Sequence, residues 1–176
     1  MELFGRLIRI ARERGIELHV AILPVHAVQL ETIRAAGLWN VFEQWKRDLV
    51  RVADLESGTD EIPVWDFTGY GAYTCERIPP EGGLQRMRYY REASHFTVEL
   101  GEQVLRRMLS DTNEDVGFGV RLTAKSLGAH LQRTRANRAV WLRENPGETA
   151  WVRELAQGAG HAPSPRTARQ SGVVQR

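Results

Sequence analysis

The chain has 176 residues, of which 42% are hydrophobic and 26% are charged. Its length and composition are those of one soluble globular domain with a tail. Its single cysteine, Cys75, excludes an internal disulfide bond and leaves the redox compartment open. Because the apolar runs are short and the first 15 residues are charged throughout, the sequence predicts neither a signal peptide nor a membrane span in this chain.

The net charge of +2 is unevenly distributed along the sequence. Residues 1–120 contain 14 Lys/Arg and 19 Asp/Glu, whereas residues 121–176 contain 10 and 3. A basic C-terminal third is typical of nucleic-acid or anionic-membrane binding, but also of a solvated helix face and a soluble tail. Since no aromatic residues are interleaved with the arginines of "HLQRTRANR", we expect no nucleic-acid partner and keep such binding as the weakest alternative.

The first half of the chain alternates helical and strand patterns. Apolar residues recur at helical spacing over 2–14, and the β-branched run "IELHVAILP" then predicts a buried strand. A long helical pattern over 26–53 follows, which we expect Gly37 to kink or divide. "IPVWDF" predicts a second short strand.

The second half begins with a Gly- and Pro-rich loop over 68–88, a length that compact domains rarely keep unless the loop is functional. A helix is predicted over 96–109, and "VGFGVRLT" is either a third strand or an extended crossing. A basic amphipathic helix is predicted over 123–143.

These patterns predict an α/β fold with a partial three-layer, flavodoxin-like parallel sheet of two or three strands and flanking helices. We expect the domain to cover residues 1–146 and a flexible basic tail to cover 147–176. So few strands would leave an apolar strand edge unpaired.

Four polar residues lie where predicted strands end, which is where open parallel sheets bind ligands. We predict a substrate-binding role for His26, Asp66, Thr68 and Tyr70. The sequence leaves alternatives open, because His26 also suits a helix entry, Asp66 a cap for the Gly-rich loop, and Tyr70 loop packing.

The segment "YYREASHFTVELGEQVL" places Glu92 three residues before His95. We predict that a helix starts at these two residues. One interpretation is catalytic, since a carboxylate that orients an imidazole is the acid and base pair of serine hydrolases. The other is structural, with Glu92 at the positive end of the helix and His95 packed at its first turn. Dispersed histidines and the absence of nucleotide-binding motifs predict no metal and no cofactor.

The succession "ILPVHA", "VWDFTGY", "YYREASHFTVELGEQVL" and "FGVRLTAKSLGAHLQRTR" resembles the C-terminal half of bacterial proteins of the SGNH/GDSL hydrolase-like superfamily. The resemblance extends from about residue 16 to about residue 146. It implies that His95 is the catalytic base and Glu92 the acid, where the family has Asp-x-x-His. The family's Gly-Asp-Ser nucleophile block is not found in this sequence.

The resemblance therefore implies a serine esterase or acyl-transfer domain fragment that does not hydrolyse esters alone and needs a missing N-terminal half. Acylated carbohydrate or another acylated small molecule is the implied substrate, and the cell envelope the implied location of full-length relatives. The alternative is a non-catalytic binding or interaction module on the same scaffold.

Overall fold

The computed structural model describes residues 1–58, 61–80, 84–110 and 117–148, together with 150, 152 and 154. Within these residues the chain forms five helices and five strands with defined bounds, and residues 146–148, 150, 152 and 154 are also helical. The helices are α1 (Glu2–Glu13), α2 (Ala27–Ala35), α3 (Trp39–Glu56), α4 (Val98–Leu109) and α5 (Leu127–Glu144). The strands are β1 (Val20–Ile22), β2 (Val64–Asp66), β3 (Tyr90–Glu92), β4 (His95–Phe96) and β5 (Val120–Leu122).

The long helical pattern is divided in two, as expected from Gly37. This glycine has a φ of +73°, a conformation that side chains disfavour. The backbone N–H of Leu38 reaches back to the Ile33 carbonyl at 3.0 Å, which closes the end of α2 before α3 begins.

The central sheet has three strands in the order β1-β2-β5. β1 and β2 are parallel, with Val20 opposite Val64, which confirms the α/β class and the small sheet. β5 is antiparallel to β2, with Leu122 opposite Val64, so the sheet is mixed and the prediction of a parallel sheet is wrong for its third strand.

The direction of β5 follows from where α4 ends. Arg107, in the last turn of α4, donates to the carbonyls of Phe118 and Gly119 at 3.3 and 3.4 Å. Val120, the next residue, pairs with Asp66 at the carboxyl end of β2. The chain thus enters β5 at the end where β2 finishes, and it can only run back along β2.

Helices cover both faces of the sheet and make three layers. One face packs on residues of α1, α3 and α5 and contributes Val20, Ile22, Val64 and Leu122. On the opposite face, Ala21 and Trp65 lie in a cluster with Leu100 and Val104 of α4. This arrangement places the carboxyl ends of β1 and β2 beside the Gly-rich loop.

Val152 is buried in a cluster with Trp141 and residues of α2. Of the predicted flexible tail over 147–176, residues 149, 151, 153 and 155–176 lie outside the described residues. No described helix has both the length and the apolar character needed to cross a membrane.

Candidate functional site

Glu92 and His95 lie in a β-hairpin, and the prediction that they begin a helix is wrong. Glu92 ends β3 and His95 begins β4, with Ala93 and Ser94 in the turn between them. The local reason is the pairing of Tyr90 with Phe96, two large side chains that a hairpin brings together. The helix begins only at Val98.

The hairpin nevertheless joins the two side chains. The Glu92 carboxylate accepts the backbone N–H of Ser94 at 2.9 Å and contacts Nδ1 of His95. The Ser94 N–H first, and then His95, lower the pKa of Glu92 to about 2. The carboxylate is therefore ionised near neutral pH, in the state that orients an imidazole.

The far side of the imidazole is open to solvent. The His95 side chain is 80% exposed, and within the described part of the chain its ring makes hydrogen bonds only through Nδ1, to Glu92 and Ser94. Nε2 is the atom that takes the nucleophile's proton in a Ser-His-Asp site, and here it faces water.

The described serines are engaged away from this atom. Ser94 donates to the Glu92 carboxylate at 3.0 Å and lies 3.3 Å from Nδ1, the wrong nitrogen for a nucleophile. Ser57, Ser110 and Ser126 donate to backbone carbonyls of their own segments. Within the described ranges, the hairpin thus holds an acid and a base with no serine hydroxyl on Nε2.

His26 is fully buried at the start of α2, as the helix-entry alternative expects. Its Nδ1 accepts the Val28 N–H at 3.2 Å, which leaves the ring proton on Nε2 to donate to the Glu76 carbonyl at 2.6 Å. Its own backbone N–H donates to Ala93 at 2.9 Å. The ring caps the helix, and the backbone joins the segment after β1 to the hairpin that holds Glu92 and His95.

The other three predicted residues meet in one cavity at the carboxyl end of β2. Asp66, Thr68 and Tyr70 line a cavity of about 180 Å³. Its remaining walls come from the Gly-rich loop, the turn before β5 and one side of α5, and they include Tyr73, Thr74, Phe118, His130, Arg133, Thr134 and Asn137. The hairpin residues Glu92 and His95 are not part of this lining.

Asp66 is the centre of a buried polar network. Its Oδ2 accepts Lys46 Nζ at 2.6 Å and His130 Nε2 at 2.9 Å, and its Oδ1 accepts the N–H and hydroxyl of Thr68. Burial acts to raise the pKa of Asp66, but the charge of Lys46 and the hydrogen bond from His130 outweigh it and hold the pKa at about 2. Asp66 is an anion at neutral pH and fixes the His130 ring.

Lys46 and His130 were missed as site residues. Both are at least 95% buried, and for a lysine such burial is rare. For Lys46 the sequence contained a signal of burial, since this residue lies at helical spacing with Phe42, Leu49 and Val50. A charged residue on the apolar side of a helix predicts a buried partner.

Tyr70 also faces a buried partner. Its hydroxyl donates to Glu31 at 2.5 Å, and its ring lies 5.6 Å from that of Trp141. Burial and the nearby Glu31 raise the pKa of Tyr70, so its hydroxyl stays protonated at neutral pH. Tyr70 is therefore a hydrogen-bond donor in the core rather than a base.

Two of the four arginines of α5 pair with acidic residues of earlier helices. Arg135 pairs with Glu43, and Arg138 makes two hydrogen bonds to Glu31 at 2.6 and 2.7 Å. Both acidic partners are buried. These two arginines thus compensate buried acids on α2 and α3.

No group of three or more His, Cys, Asp or Glu within the described residues could hold a metal ion. Comparisons of the chain with protein-family models, with curated proteins and with solved structures find no match in any of the three.

Proposed function

We propose that the chain carries the acid and base of a serine esterase or acyl-transfer site, whose nucleophile lies on a different polypeptide segment. The observation that carries this proposal is the Glu92 carboxylate on Nδ1 of His95 with Nε2 open to solvent. The resemblance of the sequence to SGNH hydrolases supports the same pair of roles.

The chemistry follows from the positions of the two ring nitrogens. A serine hydroxyl placed at Nε2 would lose its proton to His95 as it attacks an ester carbonyl, and Glu92 would stabilise the imidazolium. His95 would then return the proton to the leaving alcohol. An acylated carbohydrate at the cell envelope is the substrate and location that the resemblance favours.

The supporting geometry has a matched control within the chain. His19 contacts Glu17 through Nε2 at 2.8 Å, whereas His95 contacts Glu92 through Nδ1. Long-range ¹⁵N NMR of the two rings should therefore show a proton on Nδ1 of neutral His95 and on Nε2 of neutral His19. Glu92→Ala, which removes the acceptor, should abolish this preference at His95 only.

Activity is tested with p-nitrophenyl acetate. The chain alone should give no enzymatic turnover. The longer reading frame that includes the DNA immediately 5′ to the Met1 codon should encode a serine after an apolar strand and hydrolyse the ester. His95→Ala should lower its kcat by roughly 10³-fold or more, and His19→Ala should not. Turnover that survives His95→Ala, or a longer frame without such a serine, would refute the proposal.

The cavity at Asp66 favours a second candidate, a binding module without catalysis. A concave site with apolar walls and a few convergent polar groups is typical of small-ligand binding. Saturation-transfer NMR with a panel of monosaccharides tests it. Binding that is lost in Asn137→Trp, at the rim of the cavity, but kept in Arg143→Trp, further along the same helix, would support this candidate; no binding would eliminate it.

A further inference from the structure

Asp66 and His130 form a second pair of carboxylate and imidazole, which is buried in the core. Nε2 of His130 lies 2.9 Å from Oδ2 of Asp66, and the His130 side chain is only 6% exposed. Because an ionised carboxylate accepts hydrogen bonds and donates none, the proton of the neutral imidazole is on Nε2. The other ring nitrogen, Nδ1, therefore carries a lone pair and acts as an acceptor.

This lone pair has no partner in the fold. Nδ1 of His130 is closed to bulk solvent, and no protein atom of the described residues makes a hydrogen bond to it. Buried acceptors are rarely left unpaired, because losing their bonds to water costs free energy. His130 lines the cavity at Asp66. A hydroxyl group of a molecule bound in this cavity would satisfy Nδ1.

The buried charges beside His130 balance each other. Lys46 Nζ lies 2.6 Å from Oδ2 of Asp66, and both side chains are buried. The Thr68 hydroxyl donates to the other carboxylate oxygen at 2.7 Å. Arg133, also in the described lining, is exposed. The buried wall thus offers a neutral acceptor without net charge, which favours a neutral ligand over an ion.

The other walls combine aromatic rings with hydroxyl and amide groups. The ring centroids of Tyr73 and Phe118 lie 4.5 Å apart. Thr134, one turn after His130 on α5, donates its hydroxyl to the His130 carbonyl at 3.0 Å, so its oxygen can still accept. The exposed Asn137, on the same side of α5, offers an amide donor and an acceptor. Such a mixture suits the apolar faces and the hydroxyls of a small sugar or polyol.

We propose that the cavity at Asp66 binds a neutral monosaccharide or another small polyol, one hydroxyl of which donates to Nδ1 of His130. The inference rests on the second candidate function and names the residue that recognises the ligand. The cavity volume of about 180 Å³ equals that of about six water molecules, which suits a ligand of this class. Asp66 is a positioning residue, because it fixes the proton on Nε2.

The probes are D-glucose, D-galactose, D-mannose, D-xylose and myo-inositol, each added to the full chain. We expect at least one to bind with a Kd below about 10 mM and to shift the Nδ1 resonance of His130 in long-range ¹⁵N spectra. His130→Gln is the matched variant, because the glutamine amide can replace Nε2 as the donor to Asp66 but has no acceptor at the position of Nδ1. It should weaken binding by about tenfold or more, whereas His19→Gln should not.

A deoxy series of the ligand that binds identifies the hydroxyl. A site that hydrogen-bonds a hydroxyl rejects the analogue that lacks it, so one deoxy analogue should bind the wild type about tenfold more weakly or worse. The same analogue and its parent should bind His130→Gln with similar affinity, because the partner of that hydroxyl is already gone. If His130→Gln fails to fold, the ¹⁵N titration of the wild type still decides, since it needs no variant.

Binding that leaves the Nδ1 resonance unchanged would overturn the inference. So would binding that Asn137→Trp abolishes and His130→Gln leaves intact, and in both cases the cavity would remain a binding site. Absence of binding by every probe at about 100 mM would overturn the inference together with the second candidate function. The acyl-transfer proposal depends on His95 and is decided separately by the p-nitrophenyl acetate assay.

Discussion

Replacing Lys46 by Met should destabilise the protein through the carboxylate of Asp66. Lys46 and Asp66 are both buried, and their side chains are 2.6 Å apart. The substitution keeps the length and apolar stem of the side chain but removes the charge. Asp66 would retain His130 and Thr68 as partners. Because breaking a buried ion pair leaves an uncompensated charge, we expect a loss of about 3 kcal/mol in the free energy of unfolding at pH 7.

The same pair makes stability depend on pH. The pKa of Asp66 falls from 3.8 to about 2 in the folded state, so folding favours the ionised form. The corresponding stability, about 2 kcal/mol at 1.36 kcal/mol per pKa unit, is present above pH 3.8 and is lost as the pH falls toward 2. In Lys46→Met the pKa of Asp66 rises, so the loss should begin at a higher pH.

Urea unfolding followed by circular dichroism between about pH 2 and pH 7 measures both effects. Lys125→Met, at the chain's other lysine, which is exposed, is the matched control and should stay within about 0.5 kcal/mol of the wild type. If Lys46→Met unfolds with the same midpoint and the same acid dependence as Lys125→Met, the argument for a buried, compensated Asp66 is refuted.

Three further outcomes are expected. In ¹³C NMR titrations the pKa of Glu92 should lie near 2 in the wild type. It should rise in His95→Ala and in Ser94→Pro, because each substitution removes a hydrogen-bond donor to the Glu92 carboxylate. An ordinary pKa in the wild type would contradict the hairpin geometry. Gly119→Ala should lower the free energy of unfolding by about 2 kcal/mol or more, because the new Cβ would lie 2.3 Å from the Phe67 ring at a φ of +74°. Gly128→Ala, in open space on α5, should instead stabilise the protein by about 0.5–1 kcal/mol. Equal effects of the two substitutions in thermal unfolding would argue against the close approach at Gly119. Burial raises the pKa of the Cys75 thiol to about 11, so a disulfide reagent at pH 8 should modify the native protein far more slowly than the urea-unfolded chain, and equal rates would show an exposed thiol.

The elements with regular hydrophobic patterns were predicted well from the sequence. α1, the division of the long helix at Gly37 and the two parallel strands all follow from local patterns. The direction of β5 was not predictable in this way, because it depends on where α4 ends relative to Asp66. The hairpin at Glu92 was mistaken for a helix start because the cross-strand pairing of Tyr90 with Phe96 is not visible in helical periodicity.

The residues of the candidate site were likewise predictable from the sequence only in part. Asp66, Thr68 and Tyr70 share a cavity because strand ends converge, which follows from general rules for parallel strands. Lys46 and His130 reach Asp66 from helices, 20 residues before it and 64 residues after it in the sequence. Their side chains can be assigned to Asp66 only once the packing of α3 and α5 on the sheet is known.

The pairs between α5 and the earlier helices have a consequence for the order in which the chain folds. Arg135 lies 92 residues after Glu43, and Arg138 lies 107 residues after Glu31. During synthesis both acidic residues emerge long before the arginines that neutralise them. Contacts of such long sequence separation slow folding, because a large loop must close before they form. We infer that α2 and α3 cannot complete their packing on the ribosome until α5 has been made, so α5 determines when these two earlier helices become native.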